Sequence, residues 1–344
     1  MNRCVGSAQL REDLVPAARR VRAGASMTRP FRFIAPMPRL EGSPGVWRDS
    51  IRRIEDLGFS TLSISDHLTA GWVMDPLTAL TAAAEVTSRL RLLTLVLGND
   101  FRHPVPLHKA FATLDVLSGG RVEIGLGAGW MESDYLAAGF PFEPAPVRLA
   151  RLEEAVTVID GLFGPEPLDF LGDHYNISGL DGLPKPIQRP RPPIMLGGGG
   201  RLALELAGRV ADIVGVHARL RGSAPGADAA ADLRADRIAE KVDWVRAAWR
   251  AAGRPGDGPE LQHSIYLVHV TDSPHAASAS VSSFAGSLAA DEAAMGDSPA
   301  VLVGSVEACV EQLLERRERF GFSYFGLGGD VEMVAPIVAR LAGC

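Results

Sequence analysis

The sequence predicts an α/β fold, a TIM-type (β/α)8 barrel with insertion segments at its carboxyl-terminal rim. Three observations lead there. Short apolar runs rich in Val, Ile and Leu alternate with stretches of helical period along most of the chain. The runs read apolar on both faces, as strands of a parallel sheet covered by helices do. Eight such runs occur, each followed by a helix. A doubly wound open sheet is the competing arrangement, because periodicity does not separate the two.

Phe31–Ala35 is the first strand, closed by Pro36 and Pro38. Val46–Leu57 follows as a helix with Trp47, Ile51 and Ile54 apolar and Gly58 at its end. Thr61–Ile64 is the second strand. Asp75 as N-cap and Pro76 at the first position open a helix that runs to about Ser88. The third strand, Leu90–Leu97, ends at Gly98. Helix Pro104–Leu117, with Val116 and Leu117 among its apolar residues, leads to strand four, Val122–Leu126, which ends in Gly127-Ala128-Gly129. In helix Val147–Phe163, Arg148, Arg151, Glu153 and Glu154 read as the solvated face. Residues 164–193 are rich in Pro and Gly and read as an insertion, with a hairpin, covering the mouth of the fold. Ile194–Leu196 is strand five, Gly197–Gly200 its turn and Arg201–Gly208 a helix. Ile213–Val216 is strand six. Residues 219–232, rich in Ala, Gly and Asp, read as a mobile loop. Helix Leu233–Ala252, strand seven at Ser264–Val270 and a small, polar helical stretch at Ala276–Ala294 follow. Ser305 caps helix Val306–Phe320, Ser323–Leu327 is strand eight, and Val331–Leu341 is the last helix.

The chain has 344 residues, of which 47% are hydrophobic and 22% charged, enough for one large core. Residues 29–344 read as a single domain and 1–28 as a disordered extension, with Met27 a candidate start. A net charge of −6 argues against a nucleic-acid partner. Cys4, Cys309 and Cys344 show no metal-ligand spacing and suit a reducing, cytoplasmic location. No apolar run approaches the ~20 residues of a membrane span.

Asp66-His67 directly follows strand two, at the end of a barrel where catalytic groups gather. Histidine is the side chain best suited to move protons near neutral pH. A capping aspartate beside a surface histidine is the competing reading. Gly125-Leu-Gly127-Ala-Gly129 and Gly197–Gly200 let backbone N–H groups approach an anion, although tight βα turns use glycine anyway. Gly198-x-Gly200-x-x-Ala203 imitates a dinucleotide fingerprint. The strand after it ends in Val216-His217 with no acid for a ribose, so a nicotinamide fold is rejected. His103, His108, His217, His263 and His269 are scattered without a metal pattern, and no Gly-x-Ser-x-Gly nucleophile motif occurs. No Lys falls at a strand end, which disfavours a lyase or aldolase: Lys109, Lys185 and Lys241 lie in helices or the insertion. Trp72 and Trp130 follow strands and are site candidates, whereas Trp47, Trp244 and Trp249 read as core.

Ser65-Asp66-His67, Phe101-Arg-His-Pro104, the run Ala112 to Arg121, Gly125 to Trp130 and Gly197–Gly200 together resemble the bacterial luciferase-like flavin and deazaflavin oxidoreductases, especially the F420-dependent branch. The resemblance covers about Phe31 to Leu341. It implies a cofactor at the carboxyl rim, F420 or alternatively FMN. It implies that Asp66 and His67 flank the ring, His67 handling a proton. It implies a non-prolyl cis peptide at Leu95-Val96 propping the ring. Ala128, Gly129, Trp130 and Ser133 would lie near the ribityl and phosphate groups, and Gly198, Gly199 and Gly200 would form a second cofactor turn. Trp130 stands where the sugar-phosphate dehydrogenases of this branch carry Glu, which suits an uncharged organic substrate better. A homodimer is a family expectation. An FMN-dependent monooxygenase would need a separate flavin reductase, and a non-catalytic flavin-binding protein is the third reading.

Overall fold

The structure is a computed structural model and describes residues 29–69, 71, 73–220 and 227–344. The segment 1–28, Trp72 and the centre of the expected loop at 219–232 therefore lie outside the described residues. In chain order the elements are β1 (Arg32–Pro36), α1 (Pro44–Asp56), β2 (Thr61–Ile64), α2 (Pro76–Ala84), β3 (Arg91–Thr94), β4 (Leu97–Gly98), α3 (Pro104–Ser118), β5 (Val122–Gly127), α4 (Glu132–Ala138) and α5 (Ala145–Phe163). Then come β6 (Leu168–Leu171), β7 (Asn176–Leu180), β8 (Ile194–Gly198), α6 (Arg201–Val210), β9 (Ile213–Val216), α7 (Ala227–Asp232), α8 (Ala235–Ala251) and β10 (Glu260–Ile265). The chain closes with β11 (Leu267–Val270), α9 (Pro274–Ser287), α10 (Glu292–Gly296), β12 (Val301–Gly304), α11 (Val306–Phe320), β13 (Phe322–Leu327) and α12 (Val331–Leu341).

Nine segments form one parallel sheet in the order β3-β2-β1-β13-β10-β9-β8-β5-β4, and β3 also pairs with β5. The sheet thus closes on itself, with β3 and β4 as two halves of one strand, and the open-sheet alternative is excluded. Outward residues such as Phe33, Leu62, Leu92, Ile124, Leu196, Val214 and Phe325 join the helices in one continuous core. Inward residues form layers. Ile34, Leu93, Met195, Ile213 and Tyr324 make the apolar middle.

Below that layer, at the amino-terminal end, lies a charged floor. Glu123, 1% exposed, pairs with Arg32 and Arg91 and accepts from the Tyr324 hydroxyl at 2.8 Å. Arg32 also pairs with Glu260 at 2.7 Å. Burial alone would raise the Glu123 carboxyl, but the two guanidiniums and the Tyr324 hydroxyl hold it below its ordinary value.

Several elements depart from expectation, each for a visible reason. α2 stops at Ala84 instead of about Ser88. Glu55 captures the N–H groups of Ser88, Arg89 and Leu90, and Arg121 binds the carbonyls of Ala84 and Leu90, so the chain leaves the helix early. Leu107, Phe111 and Leu114 carry the buried face of α3, whereas Val116 and Leu117 are exposed. Barrel strand seven is β10, Glu260–Ile265, which starts before the expected Ser264 and ends before the expected Val270. Leu267–Val270 instead pairs with β12 in a separate two-stranded sheet. The helical turn α4 was not anticipated.

Insertion 164–193 reaches the rim only at Tyr175, close to Asn99 and His103. The rest lies along the flank, because β6 and β7 bury Leu168, Phe170 and Ile177 against Val158 and Leu162 of α5. Glu154 is not solvated but accepts the N–H groups of Asp173, His174 and Tyr175. Among the described residues no helix is long and apolar enough to cross a membrane.

Glu123→Gln should destabilise the protein by about 2 kcal/mol, since it leaves two half-buried guanidiniums short of a partner. A carboxyl lowered on folding contributes stability above its unfolded pKa and loses it as pH falls through the folded one. The variant's stability should therefore decline less on acidification than the parent's. Urea unfolding as a function of pH measures both.

Candidate active site

The carboxyl ends of the strands converge on an open chamber. Inward residues there are half-buried (Ser65, His67, Leu95, Val96, Gly197, His217, Ser264 and Gly326), while their outward neighbours are buried under helices. The expected cis peptide is present at Leu95-Val96, between β3 and β4. Its neighbours explain two glycines of β5. A Cβ on Gly125 would lie 1.7 Å from the Thr94 carbonyl oxygen, and one on Gly127 would lie 2.8 Å from Val96 Cγ2. These glycines serve the approach of two strands. Ser65 Oγ donates to the Leu95 carbonyl at 3.1 Å, tying the end of β2 to the same bulge.

His67 and Asp66, adjacent in sequence, have different surroundings. His67 Nδ1 lies 2.6 Å from Asp134 Oδ2, and its ring meets Trp130 edge-on at 5.8 Å. Asp134, 2% exposed, also accepts from Thr69 Oγ1 at 2.7 Å and from the N–H groups of Leu68 and Thr69. Burial would raise this carboxyl, but the hydrogen bonds from His67, Thr69 and Leu68 hold it below the ordinary aspartate value. An ionised acceptor at Nδ1 favours the Nδ1–H tautomer of the imidazole. Asp66 instead gives both oxygens to Arg102, at 2.5 and 3.2 Å, and one to the Gly98 N–H at 3.0 Å. Its side chain is 2% exposed. It pins the segment after the cis peptide to β2.

The turn after β5 is braced from behind. Arg148 donates to the carbonyls of Ala128, Gly129 and Glu143, with its guanidinium over the Phe142 ring. Arg151 pairs with Asp100 and Glu143, and the Tyr135 hydroxyl donates to Asp100 at 3.0 Å. The expectation of a solvated face therefore fails at Arg148 and Arg151, because backbone carbonyls and loop carboxylates lie opposite them. Gly129, at φ +75°, has no room for a Cβ, which would meet Tyr135 Oη at 1.9 Å. Ser133 is half-buried in the first turn of α4, beside Asp134.

Across the chamber, β8 ends at Gly198 and Gly200 caps α6 without a side-chain hydrogen bond. A Cβ on Gly198 would lie 2.9 Å from Ala203 Cβ, and one on Gly199 would lie 2.2 Å from the Ala218 backbone. Gly200 is open toward the rim, with no atom nearer than 3.8 Å to its imagined Cβ. Packing thus demands Gly198 and Gly199, while the uncapped N–H groups of α6 beside Gly200 remain suited to an anion.

Lys241, on α8, reaches under the rim: its fully buried ammonium donates to the His217 carbonyl at 2.7 Å and to Asp232 at 2.5 Å. Asp232 also accepts from the Arg219 N–H, so the end of the expected mobile loop is anchored. A lysine so engaged is not available as a nucleophile. Sequence reasoning missed Asp134 and the role of Arg148, and it named Arg102 only as part of the Phe101–Pro104 motif. Asp134 left a trace as an acid four residues beyond the Trp that ends the glycine-rich turn.

Residues 31–289 match the family described as luciferase-like monooxygenase. The chain is similar to an F420-dependent glucose-6-phosphate dehydrogenase of Microbacterium testaceum, 33% identical over 192 residues, 54% of this chain and 56% of the relative. It is also similar to an FMNH(2)-dependent dimethylsulfone monooxygenase of Pseudomonas putida, 28% identical over 203 residues, with 54% and 56% covered. The chain thus spans about half the length of these curated relatives. Among solved structures, monooxygenase RslO1 of Streptomyces bottropensis superposes with a TM-score of 0.69 over 90% of this chain and 97% of that one, at 22% identity, which shows the shared fold. With its closed barrel, its cis bulge and a family match over most of its length, the chain belongs to the luciferase-like monooxygenase family.

Proposed function

We propose that this protein is an F420-dependent oxidoreductase that moves a hydride between the deazaflavin C5 and an uncharged organic substrate, with His67 exchanging the accompanying proton. The observation that carries the reading is the His67–Asp134 pair at the chamber mouth, beside the Leu95-Val96 cis peptide. The residues present fit such a cofactor. Leu95 and Val96 offer a half-buried wall for a flat ring, and Gly200 with the uncapped start of α6 offers N–H groups to a phosphate.

When bound, the deazaflavin supplies the carbon that takes or gives the hydride. The chain's residues orient the reactants, exclude water and move the proton. Asp134 holds the His67 ring by Nδ1, and Nε2 then takes the proton of a substrate hydroxyl or returns one to a carbonyl. Asp66 serves as a positioning group, holding the bulge through Gly98 and Arg102. Trp130 closes the same wall with an apolar surface, which disfavours a phosphorylated substrate. That the relatives include both F420-dependent and FMNH(2)-dependent enzymes supports the cofactor class and keeps a second reading in view, an FMN monooxygenase served by a separate reductase.

Titrating the purified protein with F420 and with FMN, followed by absorbance, should show tighter binding of F420. Preference for reduced FMN with oxygen consumption would select the second reading. His67→Ala should lower kcat by about 10²-fold or more while cofactor affinity changes by about twofold at most. Asp134→Asn, which removes the anionic acceptor at Nδ1, should lower kcat by about 10²-fold with the fold intact. Steady-state kinetics and circular dichroism check both, and unchanged turnover in the first variant would remove His67 from the mechanism.

A further inference from the structure

Tyr266 is the single residue between β10 and β11, at the carboxyl end of barrel strand seven. The inward side chains of β10 occupy alternate positions. Glu260 pairs with Arg32 in the charged floor, and Ser264 Oγ would lie 3.1 Å from a Cβ on Gly326 of β13. Tyr266 takes the next alternate position, at the rim where barrel enzymes hold their ligands. Its backbone is anchored there. The carbonyl of the fully buried Ala300 accepts from the Tyr266 N–H at 2.8 Å and from the Leu267 N–H at 3.2 Å.

The ring is unlike the core aromatics. Nearly half of the residue, 47%, is open to solvent. Yet burial lifts the phenol to about 12, and neither a charge nor a hydrogen bond contributes. A side chain crowded by protein and still open borders a cavity, not the convex surface. Among the described residues no ring packs on it and no group hydrogen-bonds its hydroxyl. The space in front of it is cleared of side chains. Round the barrel, β13 and β1 separate β10 from β2, the strand that delivers His67. Above Tyr324, β13 offers Gly326 and then Gly328, and β1 ends in Pro36. Tyr266 and His67 thus stand on either side of a stretch of rim floored by glycine.

We propose that Tyr266 recognises the substrate in this gap, its ring lying against a planar aromatic molecule and its hydroxyl hydrogen-bonding an oxygen carried by that molecule. The proposal rests on the oxidoreductase reading above and names its substrate class, an uncharged aromatic ketone or alcohol. An aromatic ring pairs with a second ring by offset stacking or edge-on, a gain that a saturated body of the same size does not match. A protonated phenol donates to a carbonyl and accepts from a hydroxyl, so it serves both partners of one redox couple. A carboxylate or phosphate would be desolvated beside the phenol, where no charged group acts to compensate it.

The probes are acetophenone, its ring-saturated counterpart cyclohexyl methyl ketone, and benzoate as the charged comparison. Binding is measured by calorimetry on the F420-loaded protein and on the cofactor-free protein. The parent should bind acetophenone about fivefold more tightly than the saturated ketone, the worth of one aromatic pair, and benzoate more weakly than either. Tyr266→Phe should keep the aromatic preference and weaken both ketones about fivefold, the worth of one hydrogen bond. Tyr266→Leu should bring the two ketones within about twofold of each other. Both variants should keep the parent's circular dichroism and F420 affinity. The Cζ carbon resonance of Tyr266, assigned by its loss in Tyr266→Phe, should move on adding acetophenone, a response that a purely structural tyrosine would not give. If the Leu variant fails to fold, the Phe variant and this resonance decide. Equal affinity for the two ketones in the parent, tighter binding of benzoate, no binding of acetophenone, undiminished binding in Tyr266→Phe, an aromatic preference that survives Tyr266→Leu, or an unmoved resonance would overturn the proposal. If neither F420 nor FMN binds, the oxidoreductase reading falls, while the comparison in cofactor-free protein still judges the role of Tyr266.

Discussion

The approach of the Thr94–Val96 bulge to β5 sets the shape of everything around it. A side chain at Gly125 would have to occupy the space of the Thr94 carbonyl, and one at Gly127 that of the Val96 methyls. Because both positions lack a Cβ, the third barrel strand can break at the cis peptide and resume as β4 without leaving the sheet. The neighbouring groups are arranged about that break. Ser65 holds it by a carbonyl, and Asp66 holds the strand that follows through Gly98 and Arg102. His67, next in sequence, is thereby delivered to the rim.

The two ends of the barrel divide the work. The amino-terminal end is closed by charges that satisfy one another: Arg32, Arg91, Glu123, Glu260 and Tyr324. The carboxyl-terminal end is lined by glycines and by polar groups. Stability gathers at the first end and chemistry at the second, the division expected of this barrel type. Asp134 and Asp66 show how one residue type can serve both demands. One carboxylate orients an imidazole at the mouth, and the other is spent on the Arg102 guanidinium and the Gly98 N–H.

Much of the fold was legible because local patterns and tertiary demands agree. Thr61–Ile64, Ile213–Val216 and Val331–Leu341 fall where the apolar runs place them. Strand seven was displaced because its inward residues Glu260, Gln262 and Ser264 face a charged floor and a polar wall, so Glu260–Ile265 does not read as an apolar run. The end of α2 was hidden because Glu55 and Arg121, both distant in sequence, decide it. Arg148 sits at a helical position that looks solvated, and only the folded chain brings the Ala128 and Gly129 carbonyls opposite. At the site, Asp66-His67 and the glycine turns stand out as motifs. Asp134 does not, since its partner is 67 residues away and an acid at the start of a helix is ordinary.

The ammonium of Lys241 gives the outer helical layer a mechanical hold on the chamber wall. It belongs to α8, yet it grips the main chain at His217, the residue where β9 meets the cavity. A rotation or slide of α8 would be transmitted to the backbone at His217 through this buried ammonium. Variation along the packed face of one peripheral helix therefore offers a route by which the position of the His217 imidazole could drift over evolutionary time while every residue lining the rim stays the same.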